Sequence, residues 1–441
     1  MRDILITVII VGLLPFILRS ASLGAYVWAW ISMMIPHKNA FGFAATMPFA
    51  HMVALTTLLS CVFSRERRPF PVNSITVTYV LLMLWMSLTC FFALNTTEVV
   101  FERWLLVFKI HLMVYVTLML LRGRQQIERL VWVIVVSIGF YGVKGGVWTL
   151  LTGGGGRVWG PPGGFLLDNN AFGLALVMLL PLFYYLQQVS VRRWLRWGLV
   201  GGMVALTFSI LGTHSRGALL ALVAMTGFLG LKSRRPVLNS VLLGLGLLAA
   251  IAFMPDTWSG RMHTIETYDQ DTSAMSRIYA WKTLWALALD RPLTGGGFVV
   301  DTPQVFAIYA PPGGAGVYTG GNVYVAHSIY FQMLGEHGFP GLALFLLLGV
   351  ATWRTSARLA RLAKSDPRYS SWVPMLMRMV QVSLVAFATG GAFLSLAHLD
   401  LIYYIVCLVV LVDATLREQA KVAGATIVNP VAVPTALGST P

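Results

Sequence analysis

Apolar residues in this chain run in long blocks rather than in the alternating or narrow-striped patterns of half-buried elements. Blocks of about 20 apolar residues can cross a bilayer as helices, and they recur over nearly the whole length. Their limits predict spans near 41–63, 74–94, 101–121, 127–151, 171–190, 196–212, 217–231, 236–254, 339–355, 374–395 and 399–416. The region before His37 adds one irregular crossing or two short ones, because the pattern breaks at 19–23. With Met1 and Arg2 cytoplasmic, a single crossing is required. The fold class is then an all-α polytopic membrane protein with about 12 transmembrane helices and both termini inside. The first block, 4–17, resembles a signal peptide. It lacks a small-residue cleavage site and more spans follow, so it reads as mature protein.

Charge orients these spans. Basic clusters at 65–68, 122–129, 192–196, 232–235 and 354–368 fall between blocks, and cytoplasmic loops collect Lys and Arg. The net charge of +15 is therefore a topology signal, and no nucleic-acid partner follows from it. Alternation divides the chain into a membrane region of about nine spans (1–254), a large periplasmic loop between spans 9 and 10 (255–326), a region of about three spans (327–416) and a cytoplasmic tail (417–441). Loops 153–170 and 213–216 also fall outside. Composition agrees: 57% of the 441 residues are hydrophobic and 11% charged, against about 25% charged in soluble domains. Cys61, Cys90 and Cys407 lie apart in apolar blocks and read as small buried side chains.

A second set of arginines breaks the positive-inside pattern. Arg157, Arg216, Arg261, Arg277 and Arg291 all lie on the outer side. A guanidinium matches phosphate oxygens with a planar fork of donors, so these residues imply an anionic ligand at the bilayer surface or, more simply, contact with headgroups of membrane lipids. Glycine clusters at 153–156, 163–164, 295–297, 313–314 and 320–321 accompany them. None has the Lys-Ser or Lys-Thr of a P-loop, and tight turns are the commonest use of such glycines. Residues 274–290 repeat Ile278, Trp281, Leu284, Trp285 and Ala288 at helical spacing. This predicts a helix that lies in the membrane interface or packs on neighbouring helices, with Arg277 near its start.

The stretch HSIYFQMLGEHGFPG, 327–341, carries His327, Glu336 and His337 at the edge of an apolar run. Pro340 marks a helix start, and Gly335, Gly338 and Gly341 permit a break before it. The pattern predicts a short helix over 328–334 and His337 at the outer mouth of the following span. A neutral imidazole beside arginines is available as a base, or makes ordinary interfacial hydrogen bonds. His214 has the simpler reading of a turn support. The outer carboxylates, Asp168, Asp256, Glu266, Asp269, Asp271, Asp301 and Glu336, form no evident metal-ligand set, so no metal or cofactor is expected. Glu102 and Lys109 share nearly one helix face and read as a structural pair.

THSRGALL (213–220), SRIYAW (276–281), RPLTGGG (291–297), the histidine stretch and LLDNNAFG (166–173) together resemble the bacterial O-antigen ligase and polymerase superfamily. Each motif is short; their order and common sidedness carry the likeness. The overall pattern is most similar to an O-antigen ligase. It implies a GT-C-like glycosyltransferase of the inner membrane with its active site facing the periplasm. Such an enzyme moves a glycan from undecaprenyl pyrophosphate to a sugar hydroxyl of lipid A–core without metal and with inversion. In that scheme His337 is the general base, Arg216 and Arg277 are catalytic, and Arg216, Arg277, Arg291 and Arg157 hold the pyrophosphate. Asp168, Asn169, His327 and Glu336 support them. The same residues suit an O-antigen polymerase or a ligase that glycosylates protein. A membrane transporter is the reading from another class, against which the absence of an internal repeat weighs.

Overall fold

Helices are the only regular structure among the described residues of the computed structural model, which are 1–232, 236–256, 258, 260, 272–311 and 323–422. Arg261, Glu266, Asp269, Asp271, the glycines of 313–314 and 320–321 and the tail after Val422 lie outside them. The chain opens with α1 (Arg2–Arg19) and α2 (Ala21–Met34), which meet at the extended Ser20 and so form two helices where the pattern breaks. There follow α3 (Phe49–Phe63), α4 (Ser74–Thr89), α5 (Thr97–Leu120), α6 (Gly123–Leu151), α7 (Asn169–Val189), α8 (Arg193–Gly212), α9 (Arg216–Leu231) and α10 (Pro236–Ala252). The C-terminal half adds α11 (Thr272–Asp290), α12 (Pro303–Tyr309), α13 (Ile329–Leu362), α14 (Pro367–Ser370), α15 (Val373–Gly391) and α16 (Asp400–Val422).

Among the described residues, seven helices are long and apolar enough to cross a membrane, α5–α8, α13, α15 and α4 with its 3-10 extension to Phe92. Shorter apolar helices cover Phe49–Phe63, Arg216–Leu231 and Ser240–Ala252. The chain is thus a multi-pass, all-helical membrane protein.

Helix α7 lies at the centre, packed on α6, α8, α9 and α15, and is buried around nearly its whole circumference. Its sequence says why: apolar residues occupy every face, as expected of a helix surrounded by helices. Close approach depends on small residues. A Cβ on Gly146 of α6 would stand 1.9 Å from the Ala205 carbonyl oxygen of α8, so that crossing requires glycine. One end of the bundle collects the basic loops. There Asp413 meets Arg358, Arg417 and Asn73, and Arg122 pairs with Glu418 at 2.9 Å. The glycine- and arginine-rich loops meet at the other end, where Val158 N donates to Gly212 O and Leu94 N to Gly296 O. Lys109 meets His51 Nε2 at 2.7 Å rather than the expected Glu102.

Candidate active site

Helix α13 runs from Ile329 to Leu362, and its only non-helical residue is Gly338, at φ 65° and ψ −170°. The expected break is therefore present, within one merged helix. A break leaves carbonyls without their intrahelical partners. The RPLTGGG loop supplies donors: Gly296 N binds Gly335 O at 2.8 Å and Gly297 N binds Glu336 O at 2.9 Å, while Phe339 N returns a bond to Pro292 O. Gly338 and Gly295 both have positive φ, and a Cβ on Gly338 would stand 2.4 Å from the Leu293 carbonyl oxygen. Two motifs some forty residues apart are thus one piece of structure. Arg291 belongs to that piece. Its guanidinium donates to the Phe92 carbonyl.

At this break, just before the span expected from Phe339, the His337 side chain turns into the protein. Its ring is fully buried, with Phe298 edge-on at 4.7 Å and the Trp85 indole donating to its backbone carbonyl. Nδ1 lies 2.7 Å from Thr89 Oγ1, whose hydroxyl is also 2.9 Å from Met86 O. Nε2 has no hydrogen-bond partner among the described residues and stands 3.8 Å from Glu336 Oε2. That same oxygen takes a 2.7 Å hydrogen bond from His398 Nε2. Ligand atoms of Glu336, His337 and His398 lie within 4.8 Å of one another, so these three could converge on a divalent cation if the Glu336–His398 bond opened. His398 was not legible as a site residue. A lone histidine in a polar break between two spans was its one signal.

Glu336, unlike His337, lines a cavity of about 330 Å³. Arg103, Asp301, Tyr324, Gln332 and Ser395 contribute its other polar groups. Arg103 enters from the first turns of α5. Burial pushes the Asp301 carboxyl up and Glu336 adds to this, whereas a backbone hydrogen bond and Arg103 act the other way.

A second group gathers where α7, α9 and α13 begin. His327 precedes the Ser328 N-cap of α13, holds φ at 43° and is partly buried. Burial, then the positive field of Arg277, lower its pKa, against the opposing pull of Asp168. An arginine and an aspartate are thus its electrostatic neighbours. Asp168 caps α7 through Asn170 N and Ala171 N, and Asn169 Nδ2 donates to Thr213 O at 2.7 Å. Thr213 leads into the turn whose Ser215 caps α9 and whose next residue is Arg216. His214, at φ 55°, bonds Gly154 O through Nε2 and so does support that turn. The starts of α9 and α13 abut one turn: a Cβ on Gly217 would stand 3.4 Å from Phe393 Cβ, and one on Gly391 2.6 Å from Ile329 Cδ1. Arg157 is exposed beside this cluster, its guanidinium 5.8 Å from the centre of the Trp159 ring.

Helix α11 brings Arg277 to this group. It packs on α13 through Leu284, Leu287 and Trp281, whose ring stacks on Phe331 and whose Nε1 donates to Ala326 O. Trp285 stays half exposed against Phe339, so helix packing accounts for one tryptophan and leaves the other free for an interface.

Residues 201–346, which hold Arg216, Arg277, Arg291, His327, Glu336 and His337, match the family described as O-antigen ligase. The chain carries an O-antigen ligase domain. Residues 1–190 match a family of unknown function, DUF5935. No curated protein matches the chain. The O-antigen ligase domain does not build the site alone. Thr89, Arg103, Arg157, Asp168 and Asn169 come from the segment matching the family of unknown function, and His398 lies beyond both matches.

Proposed function

We propose that the chain is an O-antigen ligase, transferring a glycan from undecaprenyl pyrophosphate to a sugar hydroxyl of lipid A–core at the periplasmic face of the inner membrane. The observation that carries this reading is the place of His327: it precedes the N-cap of α13, where the starts of α7 and α9 bring Asp168 and Arg216, and Arg277 is its cationic neighbour. An apolar groove of about 320 Å³ supports the lipid part of the donor. It begins at Ile329 and Tyr330, just past His327, and continues along Phe345, Trp353, Phe387 and Tyr403. A polyprenyl chain lying there would bring its pyrophosphate to the arginine end.

The acceptor hydroxyl gives its proton to His327 as its oxygen attacks the anomeric carbon of the donor. The bond from that carbon to the pyrophosphate oxygen breaks, with inversion, and undecaprenyl pyrophosphate leaves with the electron pair. Arg216 and Arg277 stabilise the negative charge that grows on it, and Arg157 is the further cation within the same loops. Arg291 is assigned to holding the loop. The base role passes from His337 to His327 because a base must reach the proton it takes, and the His337 ring is sealed beneath Phe298. His337, Thr89, Glu336 and His398 then form the wall behind the reacting groups. No step requires a metal.

The test is a lipopolysaccharide gel from a deletion strain complemented with wild type, His327→Ala or His337→Ala, with each protein's abundance measured. Bare lipid A–core with accumulated lipid-linked polymer in the deletion and in His327→Ala is the expected result. Core bearing a single repeat unit in the deletion would make the chain a polymerase. Unaltered lipopolysaccharide with loss of glycan from proteins would make it a protein ligase.

A further inference from the structure

We propose that the cavity walled by Arg103, Asp301, Gln332, Glu336 and Ser395 is a binding site for a neutral sugar ring, the ring that presents the acceptor hydroxyl. The word acceptor rests on the ligase reading above; the sugar site does not.

The wall has the chemistry such a ring needs. Sugar rings offer hydroxyls that both donate and accept around an edge, and apolar C–H faces. The cavity supplies carboxylates as acceptors, a guanidinium and an amide as donors, and apolar surface from Leu284, Val300 and Ala326. Its polar groups are held in place rather than loose. His398 fixes one oxygen of Glu336 at 2.7 Å, and Gln332 Oε1 accepts from Ala397 N at 3.1 Å, which leaves the amide nitrogen of Gln332 as a donor. Ser395 Oγ is buried with no hydrogen-bond partner among the described residues. A buried hydroxyl without a partner costs about 1–3 kcal/mol, so an occupant that bonds it is favoured. Strain marks the same wall. Val299 holds φ at 61°, a conformation β-branched residues avoid, and Asn95 Nδ2 pins its carbonyl at 3.0 Å.

Other occupants fit less well. Two carboxylates against one guanidinium repel a phosphate, whose arginines lie elsewhere. The charged groups of Arg103, Asp301 and Glu336 in the wall disfavour a lipid tail, which has its own groove. The volume of about 330 Å³ lies at the small end of ligand sites, suited to a ring rather than a polymer. Position adds to the argument: Ala326 in the wall is the residue before His327, the proposed base.

The experiment is saturation-transfer-difference NMR on the full chain in detergent, with methyl glucoside, methyl galactoside and methyl N-acetylglucosaminide as probes. Wild type and Arg216→Ala are expected to saturate at least one glycoside. Arg103→Ala and Glu336→Gln are expected to weaken it by about tenfold or more, the loss of one buried hydrogen bond to a charged group, and Ser395→Val by about threefold to tenfold, the loss of a neutral one. Thermal unfolding of each variant, together with Arg103→Lys as a gentler change, separates lost binding from lost folding. No glycoside bound by wild type, or equal binding by the folded cavity variants, would overturn the proposal. Binding by a wild-type protein that transfers no glycan would leave the sugar site standing and remove the ligase reading. Transfer with an unchanged acceptor KM in Arg103→Ala and Ser395→Val would do the reverse.

Discussion

Two histidines ten positions apart on one stretch meet opposite environments, and single-residue changes should separate them. His327→Ala should stop transfer at normal abundance, since it removes the base and little packing. His337→Ala should instead lower stability, because it takes from Thr89 Oγ1 one of its two partners and opens a cavity beneath Phe298; a loss of about 2–3 kcal/mol is typical of such a change. Thermal unfolding beside the lipopolysaccharide gel reads both. A stable, inactive His337→Ala together with an active His327→Ala would return the base role to His337. His327 also sets a pH dependence. Its folded pKa lies below the ordinary value of about 6.5. As pH falls through 6.5 the unfolded chain takes up the proton first, so the stability tied to neutral His327 is complete above that pH and declines below it. Wild type should therefore lose more melting temperature between pH 7.5 and 5.5 than His327→Gln does. An identical loss in the two proteins would show that His327 is not held neutral.

At the scale of elements, the site depends on one break and one packed helix. Gly338→Ala forces a side chain into a backbone conformation essentially reserved for glycine and towards the Leu293 carbonyl. It should destabilise by about 3 kcal/mol or more and undock the RPLTGGG loop; wild-type melting and transfer would mean the loop does not need the break. Trp281→Phe keeps the stacking on Phe331 and loses only the bond to Ala326 O, whereas Trp281→Ala loses both. If α11 positions Arg277, transfer should fall in the order wild type, Phe, Ala. Equal transfer in all three would separate α11 packing from the chemistry.

Across the whole molecule, the site joins segments that match two different families, and its chemistry is expected to run without metal. Transfer in detergent should persist with a chelator present. Activity lost to the chelator and restored by an added divalent ion would instead make Glu336, His337 and His398 a metal centre. The contribution of the N-terminal segment was only faintly legible. Arg103 is a charge at the start of a span, but a helical chain gives no sign of which distant span will stand across from it. Thr89 and Ser395 gave no sign at all, because a hydroxyl in an apolar helix or turn usually bonds its own backbone.

The sequence by itself determined the class of molecule, a multi-pass helical membrane protein, and predicts the sidedness of its loops. Apolar block length and the placement of Lys and Arg are set by the bilayer rather than by packing, so they read directly from the chain. It also marked Arg216, Arg277, the two histidines and the glycine break, since charge and glycine are conspicuous among apolar residues. Only the tertiary structure decided which histidine lies fully buried, that Arg291 donates to the Phe92 carbonyl, and that His398, Thr89 and Arg103 stand near Glu336 and His337. Those outcomes depend on which helices pack side by side and on the rotation each adopts, and a sequence apolar on nearly every face does not encode that rotation locally.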